Sequence, residues 1–412
     1  MRLVPAGSVL QHPAFAQFWI ARVTTMMAYQ MLSVGVAWQV YELTHRPLDL
    51  GLIGLAQFLP SIALVLLVGH VADRRDRRRI ARLTMSVGAL ACAVLGVASA
   101  TQRISELAIF AIVLVIGAAR AFQNPAMQAL LPTLVPPHEL SRAVAASTTA
   151  TQMATIVGPA VGGVMYAIGP EWVYAVCALL YLAGVLAMHR MRTVHTVTSR
   201  APPTLASVFA GVAFIRDNPV MLGAISLDLF AVLLGGATAL LPVYARDILH
   251  IGPWGLGVLR SAPAIGGLAT ALWLSGKPLQ GRVGRTMFVA VGVYGAATMV
   301  FGASTLTWLS FLALLIMGAS DTVSVVVRSS IMQLGTPDDM RGRVNAVNTM
   351  FVGASNQLGE FESGITAEWL GTVRAVVLGG AGTLAVVALW MRLFPSLLTF
   401  DRLDTRATPA AT

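Results

Sequence analysis

Long runs of apolar residues alternate with short polar connections along most of the 412-residue chain. Many of these runs reach or exceed the about 20 residues that an α-helix needs to cross a bilayer. Twelve can be placed, near 15–41, 50–70, 80–100, 106–130, 143–168, 172–190, 219–244, 254–275, 286–304, 308–332, 343–367 and 373–393. The pattern therefore predicts an all-α membrane protein with twelve transmembrane helices.

The composition strengthens this prediction. Hydrophobic residues make up 56% of the chain and charged residues 11%, whereas a soluble globular domain carries about 25% charged residues. This much apolar surface requires lipid around it. The two cysteines, Cys92 and Cys177, lie inside apolar runs, where we expect them to pack rather than to form a disulfide framework.

The net charge of +10 would favour nucleic acid as the partner of a soluble protein, but the positions of the basic residues indicate a different meaning. They concentrate in alternate connections, above all in Arg74–Arg82, whereas the intervening connections hold only Arg46, Arg103, Arg246 and Arg374. Because cytoplasmic loops carry the excess of arginine and lysine, both termini are predicted to lie in the cytoplasm. The expected surroundings are the lipids of the cytoplasmic membrane, and no nucleic acid is expected.

The longest connection between predicted spans has six spans before it and six after it. The predicted organisation is an N-terminal six-helix bundle at 1–190, a cytoplasmic linker with an amphipathic helix at 191–218, a C-terminal six-helix bundle at 219–394 and a cytoplasmic tail at 395–412.

The two halves also repeat each other in sequence. Val40-Tyr41 ends the first span and Val243-Tyr244 ends the seventh. A glycine and a proline six residues apart recur in the second and eighth spans, at Gly54 and Pro60 and at Gly257 and Pro263. Internal repeats of this kind are typical of transporters that work by alternating access, so we predict two pseudo-symmetric bundles.

The connection between the second and third spans is GHVADRRDRRR, from Gly69 to Arg79. It resembles the signature loop of the major facilitator superfamily, in which a glycine, an Asp-Arg pair and further basic residues join these helices. The matching residues are Gly69, Asp73, Arg74, Arg77 and Arg78, while Asp76 occupies a position that is usually glycine. The resemblance implies a conformational latch, in which a carboxylate at a helix end contacts an arginine or a helix N-terminus. The alternative is that the run of arginines only marks this connection as a cytoplasmic loop.

Two spans of the first half carry further resemblances to the superfamily. GPAVGG in span five resembles its antiporter motif, with Gly158, Pro159, Gly162 and Gly163 at the matching positions. Glycines let helices approach closely and proline lets a helix bend, although generic small-residue packing would use the same residues. Arg120 in span four resembles the intramembrane arginine of the superfamily, which is associated with proton coupling.

Several short segments resemble the secretion-effector, or enterobactin exporter-like, branch of the superfamily. They are HPAF at 12–15, Ala21-Arg22, THRPLDLGL at 44–52, SGK at 275–277 and TPDDMRGRVNA at 336–346. This branch exports siderophores and drugs, so the resemblance implies export of a small molecule.

Four charged residues fall deep within predicted spans, where an unpaired charge is unfavourable. They are Arg22 in span one, Arg120 in span four, Asp228 in span seven and Asp321 in span ten. We hypothesise that all four face a central cavity, with the aspartates as protonatable coupling sites. The arginines would then either tune that protonation or meet an anionic substrate. Static charge pairing between helices is the alternative.

Other charged residues lie nearer to the ends of spans. Arg260 and Arg328 are expected to extend toward the interface, with their charged groups in water. Glu360 and Glu362, toward the outer end of span eleven, form either an outer gate or a solvated helix end.

No Walker loop, zinc-binding HExxH or GxSxG nucleophile motif occurs in the sequence, so we expect no enzyme activity, cofactor or metal. The motifs and the buried charges together indicate a secondary active transporter. The favoured function is proton-antiport export of a small amphipathic molecule such as a siderophore, by a monomer that works through alternating access. Multidrug or antibiotic efflux is the alternative within transport, and a non-transporting membrane sensor or scaffold is the alternative outside it.

Overall fold

A computed structural model describes residues 9–64, 67–68, 71, 75–191, 205–277 and 281–400. Nearly all of these residues are helical, and no strand occurs within the ranges. Nine of the described helical segments are long and apolar enough to cross a membrane. The prediction of an all-α membrane protein is therefore confirmed. Helices lie at every predicted span position, but the count of twelve crossings stays a prediction.

Two compact units make up the described part of the chain. The first is drawn from Met1–Pro202 and Leu240–Ser261, and the second from Pro203–Ala239 and Ala262–Thr412. The segment Leu240–Ser261, which the sequence places in the second bundle, thus packs with the first unit.

Six long helices form most of the first unit. They are α1 (Pro13–Thr44), α2 (Pro47–Ala63), α3 (Arg77–Ala100), α4 (Glu106–Leu130), α5 (Leu140–Ile168) and α6 (Pro170–Arg190). Proline stands in the first turn of α1, α2 and α6, where the helix needs no N–H donor. The hydroxyl of Ser105 accepts from the Ala108 N–H and begins α4, as a capping residue does.

Helix α1 lies at the centre of the first unit, against α5 and α6, while α3 packs on α4 and α6 and α2 packs on α4. Large side chains such as Phe15, Phe18 and Tyr174 are fully buried between these helices. Other faces expose large apolar side chains, including Leu107 at 80% and Leu90 at 67%. Such surfaces are favourable only where lipid covers them.

The second unit contains the remaining helices. They are α7 (Leu205–Asp217), α8 (Pro219–Leu234), α9 (Gly252–Gly276, in this unit from Ala262), α10 (Val283–Ala303), α11 (Thr307–Gly335), α12 (Asp338–Leu370), α13 (Thr372–Leu393) and the short α14 (Pro395–Leu398). Helix α7, in the predicted linker, packs on α8 and α12. Residues 192–204 of the predicted linker and residues 401–412 of the predicted tail lie outside the described residues.

The packing order in the second unit repeats that of the first. Helix α8 contacts α12 and α13 as α1 contacts α5 and α6, and α10 contacts α11 and α13 as α3 contacts α4 and α6. The core of the second unit includes Met221, Leu227, Phe288 and Val327. The repeated contacts confirm the prediction of two pseudo-symmetric bundles.

The seventh predicted span is helical but not continuous. Helix α8 ends at Leu234, and the chain continues through a 3₁₀ turn at Ala237–Leu240, an α turn at Leu241–Val243 and a π turn at Tyr244–Ile248. The break falls at Gly236, where a Cβ atom would overlap the carbonyl oxygen of Gly359 on α12. Only glycine permits such a close approach of two backbones.

Candidate functional site

Asp228 of α8 forms a buried ion pair with Arg328 of α11 in the second unit. The two side chains are only 5% and 4% exposed, and the Ser324 hydroxyl donates to Asp228 Oδ1 at 3.3 Å. The expectation that Arg328 extends to the interface is wrong, because its guanidinium turns inward to the carboxylate. For Asp228, charge pairing between helices is what the structure shows.

Asp321 lies on the same helix as Ser324 and Arg328, at positions i, i+3 and i+7, which share one helix face. It lines a cleft together with Asp228 and Tyr294 of α10. The Tyr294 hydroxyl donates to the carbonyl of Gly235 at 3.1 Å. Within the described ranges, Asp321 has neither a hydrogen bond nor an ion pair. The two predicted coupling aspartates therefore differ, since one is paired and the other is not.

Arg22 of α1 and Arg120 of α4 line a common cleft in the first unit. Arg22 Nε donates to the Thr151 hydroxyl on α5 at 3.2 Å. The Arg120 guanidinium carbon lies 3.3 Å from the centroid of the Tyr29 ring, in a cation–π contact. Each pair is described within its own unit, and the hypothesis that all four residues face one central cavity stays a prediction.

Three glycines of the antiporter-like motif lie at close helix contacts. A Cβ atom on Gly158 or Gly162 would come within 2.6 Å of Gln30 Cβ or 2.8 Å of Met31 Cα, both on α1. A Cβ on Gly163 would overlap the carbonyl oxygen of Pro253 on α9. The motif therefore packs α5 against two helices of the first unit, and Pro159 lies within α5 between these contacts.

Of the five residues of the predicted latch, the structure describes Arg77 and Arg78. Gly69, Asp73 and Arg74 lie outside the described residues. Arg77 donates to the Ala129 carbonyl of α4 at 3.2 Å, and Arg78 donates to the His189 carbonyl of α6 at 3.1 Å. Both guanidinium groups thus meet the C-terminal ends of helices, where positive charge is favourable.

The structure explains why an aspartate, Asp76, occupies a position that is usually glycine in the signature loop. Its side chain accepts from the Arg78 N–H at 2.9 Å and caps the N-terminus of α3. A carboxylate suits this position because it satisfies an otherwise unpaired donor and lies near the positive end of the helix.

Glu362, one of the two residues of the predicted outer gate, has a hydrogen bond within its own helix. The Thr366 hydroxyl donates to Glu362 Oε1 at 2.7 Å on the same helix, and Glu360 is partly buried. A gating role for the two glutamates stays a prediction.

Sequence reasoning missed a polar cluster in the first unit. The Tyr41 hydroxyl of α1 donates to Asp247 in the π turn, and the Tyr166 hydroxyl of α5 donates to Glu42 at 2.9 Å. One sequence signal could have predicted this cluster, namely the acidic residues that follow Val40-Tyr41 and Val243-Tyr244 in the repeats. This cluster fixes the end of the broken span against α1.

The chain matches the family model described as transmembrane secretion effector over residues 6–409. It is 25% identical over 395 residues to the enterobactin exporter EntS of Citrobacter koseri, a match that covers 94% of each chain. The enterobactin exporter EntS of Escherichia coli is also 25% identical, over 96% of this chain and 95% of its own.

The fold is similar to those of solved transporters. The nucleoside transporter NupG superposes with a TM-score of 0.76 at 12% identity, covering 92% of this chain and all of the other. A bacterial homologue of the iron transporter ferroportin gives a TM-score of 0.72 at 14% identity, covering 94% and 98%. At these identities the similarity shows the fold alone. Family match, repeated bundles and fold agree, and the chain belongs to the transmembrane secretion effector family of the major facilitator superfamily.

Proposed function

We propose that this protein exports a siderophore-like amphipathic molecule across the cytoplasmic membrane in exchange for protons, as a monomer with both termini in the cytoplasm. The relatives that it matches along nearly their whole length are named enterobactin exporters, which supports the substrate class and the direction. The activity is transport and requires no covalent chemistry, cofactor or metal.

One observation carries the coupling part of this proposal: Asp321 shares a cleft with Asp228 but not its ion pair. Losing the charge on Asp228 would leave Arg328 buried without a counterion, which is strongly unfavourable. Asp321 can gain or lose a proton without breaking an ion pair. We therefore assign the transported proton to Asp321 and a fixed, charged state to Asp228.

The neighbours of Asp321 allow a coupled change. Asp228, Arg328 and Tyr294 are the titratable or charged groups that line or adjoin its cleft in the described structure. Protonation of Asp321 would remove one negative charge from a group that contains two carboxylates and one guanidinium. Because the stability of a buried arrangement depends on its net charge, proton binding would favour a different arrangement of the second unit.

Everted membrane vesicles test this proposal, because their lumen corresponds to the outside of the cell. With an acidic lumen, vesicles that contain the wild-type protein should accumulate enterobactin, and collapse of the pH gradient should abolish accumulation. Asp321→Asn should lose gradient-driven accumulation but keep exchange of labelled for unlabelled enterobactin. Asp321→Glu, which retains a carboxyl group, is the matched control and should keep both.

The outcomes separate the alternatives. Full gradient-driven accumulation by Asp321→Asn would exclude Asp321 as the coupling site. Transport of unrelated cationic dyes with no transport of enterobactin would favour multidrug efflux. Absence of any transport by correctly folded protein would favour a sensor or scaffold.

A further inference from the structure

The arginine cleft of the first unit has an unbalanced charge. It is lined by Arg22, Thr25 and Met26 of α1 and by Arg120, Gln123, Asn124 and Met127 of α4. In the described part of the first unit, no carboxylate lies within ion-pair distance of either arginine. Two guanidinium groups at membrane depth without a counterion are unfavourable, so the cleft favours a negatively charged occupant.

The neutral contacts of the two arginines hold them in place without neutralising them. Thr151 accepts from Arg22 Nε, which leaves the other donors of that guanidinium for a ligand. The Arg120 guanidinium lies over the ring of Tyr29, whose hydroxyl donates to Gln57 of α2 at 2.7 Å. A planar guanidinium can bind two oxygens of one acid group.

A second cleft begins at the same tyrosine. It is lined by Tyr29, Leu32, Ser33, Val36, Gln57, Val113 and Ile116, and most of these side chains are apolar. Val36 lies fourteen positions after Arg22 on α1, which corresponds to about 21 Å at 1.5 Å per residue. Along α1 the residues that line the two clefts therefore change from cationic to mostly apolar.

From this arrangement we infer that the two clefts form a binding site for an amphipathic organic anion, with its acidic oxygens on Arg22 and Arg120 and its apolar or aromatic body beyond Tyr29. The amide groups of Gln123 and Asn124 supply further hydrogen bonds to the acidic end. The inference rests on the proposed export function and names its substrate class, an acid rather than a neutral or cationic molecule.

Binding of two probes of equal shape tests the inference. The acid 6-phenylhexanoate and its uncharged amide, 6-phenylhexanamide, differ only in charge at one end. Isothermal titration into lipid nanodiscs that contain the full-length protein, with the heat from empty nanodiscs subtracted, gives the affinity of each. We expect the acid to bind the wild-type protein at least tenfold more tightly than the amide.

Variants locate the charge selectivity. Arg22→Gln and Arg120→Gln should each weaken acid binding tenfold or more and change amide binding less than threefold. Arg120→Lys, which keeps the charge but loses the planar contact with Tyr29, should retain a preference for the acid. Arg103→Gln removes the same charge from an exposed connection of the first unit and should change neither affinity more than twofold.

Equal affinities of the wild-type protein for the acid and the amide would overturn the inference, whether or not the variants fold. Equal weakening of both ligands by Arg120→Gln would overturn it as well, since the arginine would then act through shape. Charge-selective binding without gradient-driven transport would refute the proposed function alone. Coupled transport without charge-selective binding would refute this inference alone.

Discussion

Neutralising Asp228 should destabilise the protein far more than neutralising an exposed aspartate, because it leaves Arg328 charged and buried. The Arg328 side chain is 4% exposed, and its Nε already has no hydrogen-bond partner in the described structure. Removing one partner of a buried ion pair costs about 3–5 kcal/mol. For a unit of this size, Asp228→Asn should lower the melting temperature by on the order of 10 °C.

The assay is gel filtration of detergent-solubilised protein after heating to a series of temperatures. The double variant Asp228→Asn/Arg328→Gln should recover most of the loss, because it leaves no buried charge unpaired. Asp338→Asn is the control: Asp338 pairs with Arg341 at 2.8 Å but is 89% exposed, and exposed pairs contribute little. If the double variant melts as low as Asp228→Asn, or if Asp228→Asn melts like the wild type, the reasoning is refuted.

Two further predictions concern helix packing and topology. Gly163→Ala should lower both the melting temperature and the transport rate, because the added Cβ would overlap a backbone carbonyl of α9. Gly353→Ala is the control and should change neither, because the space around Gly353 is open. Similar melting temperatures for the two variants would contradict a close crossing of α5 and α9. An impermeant maleimide should label Thr101→Cys from outside intact cells but label Ser275→Cys only after permeabilisation. The reverse labelling would contradict the predicted orientation, and the buried native cysteines should not interfere.

The positions of the helices could be predicted from the sequence because they depend on local properties, namely the length of apolar runs and the polar residues between them. The depths of Asp228 and Asp321 followed from counting residues along their helices. The partner of Asp228 did not, because pairing depends on which helix faces which. Asp321, Ser324 and Arg328 share one face of α11, and this spacing was the available signal that Arg328 points inward with them.

The break in the seventh span and the position of Leu240–Ser261 were beyond sequence reasoning for a different reason. Gly236 is forced to be glycine by a carbonyl more than a hundred residues away, at Gly359. The segment Leu240–Ser261 is held in the first unit by contacts with residues from α1 and α5, such as the Ser261 hydroxyl that donates to the Ile156 carbonyl at 2.6 Å. Neither set of contacts produces a periodic pattern of residue types in the sequence, so neither could be predicted from such a pattern.

The position of Leu240–Ser261 decides how this chain can be divided into fragments. A fragment that stops in the connection after α6 would lack Pro253, which covers Gly163, and Asp247, which bonds Tyr41. In such a fragment, the surface of α5 at Gly163 would lose the contact with Pro253. Two separately translated fragments could restore activity only if Leu240–Ser261 of the later fragment packs with the earlier fragment. Restored activity would therefore measure whether this packing step occurs.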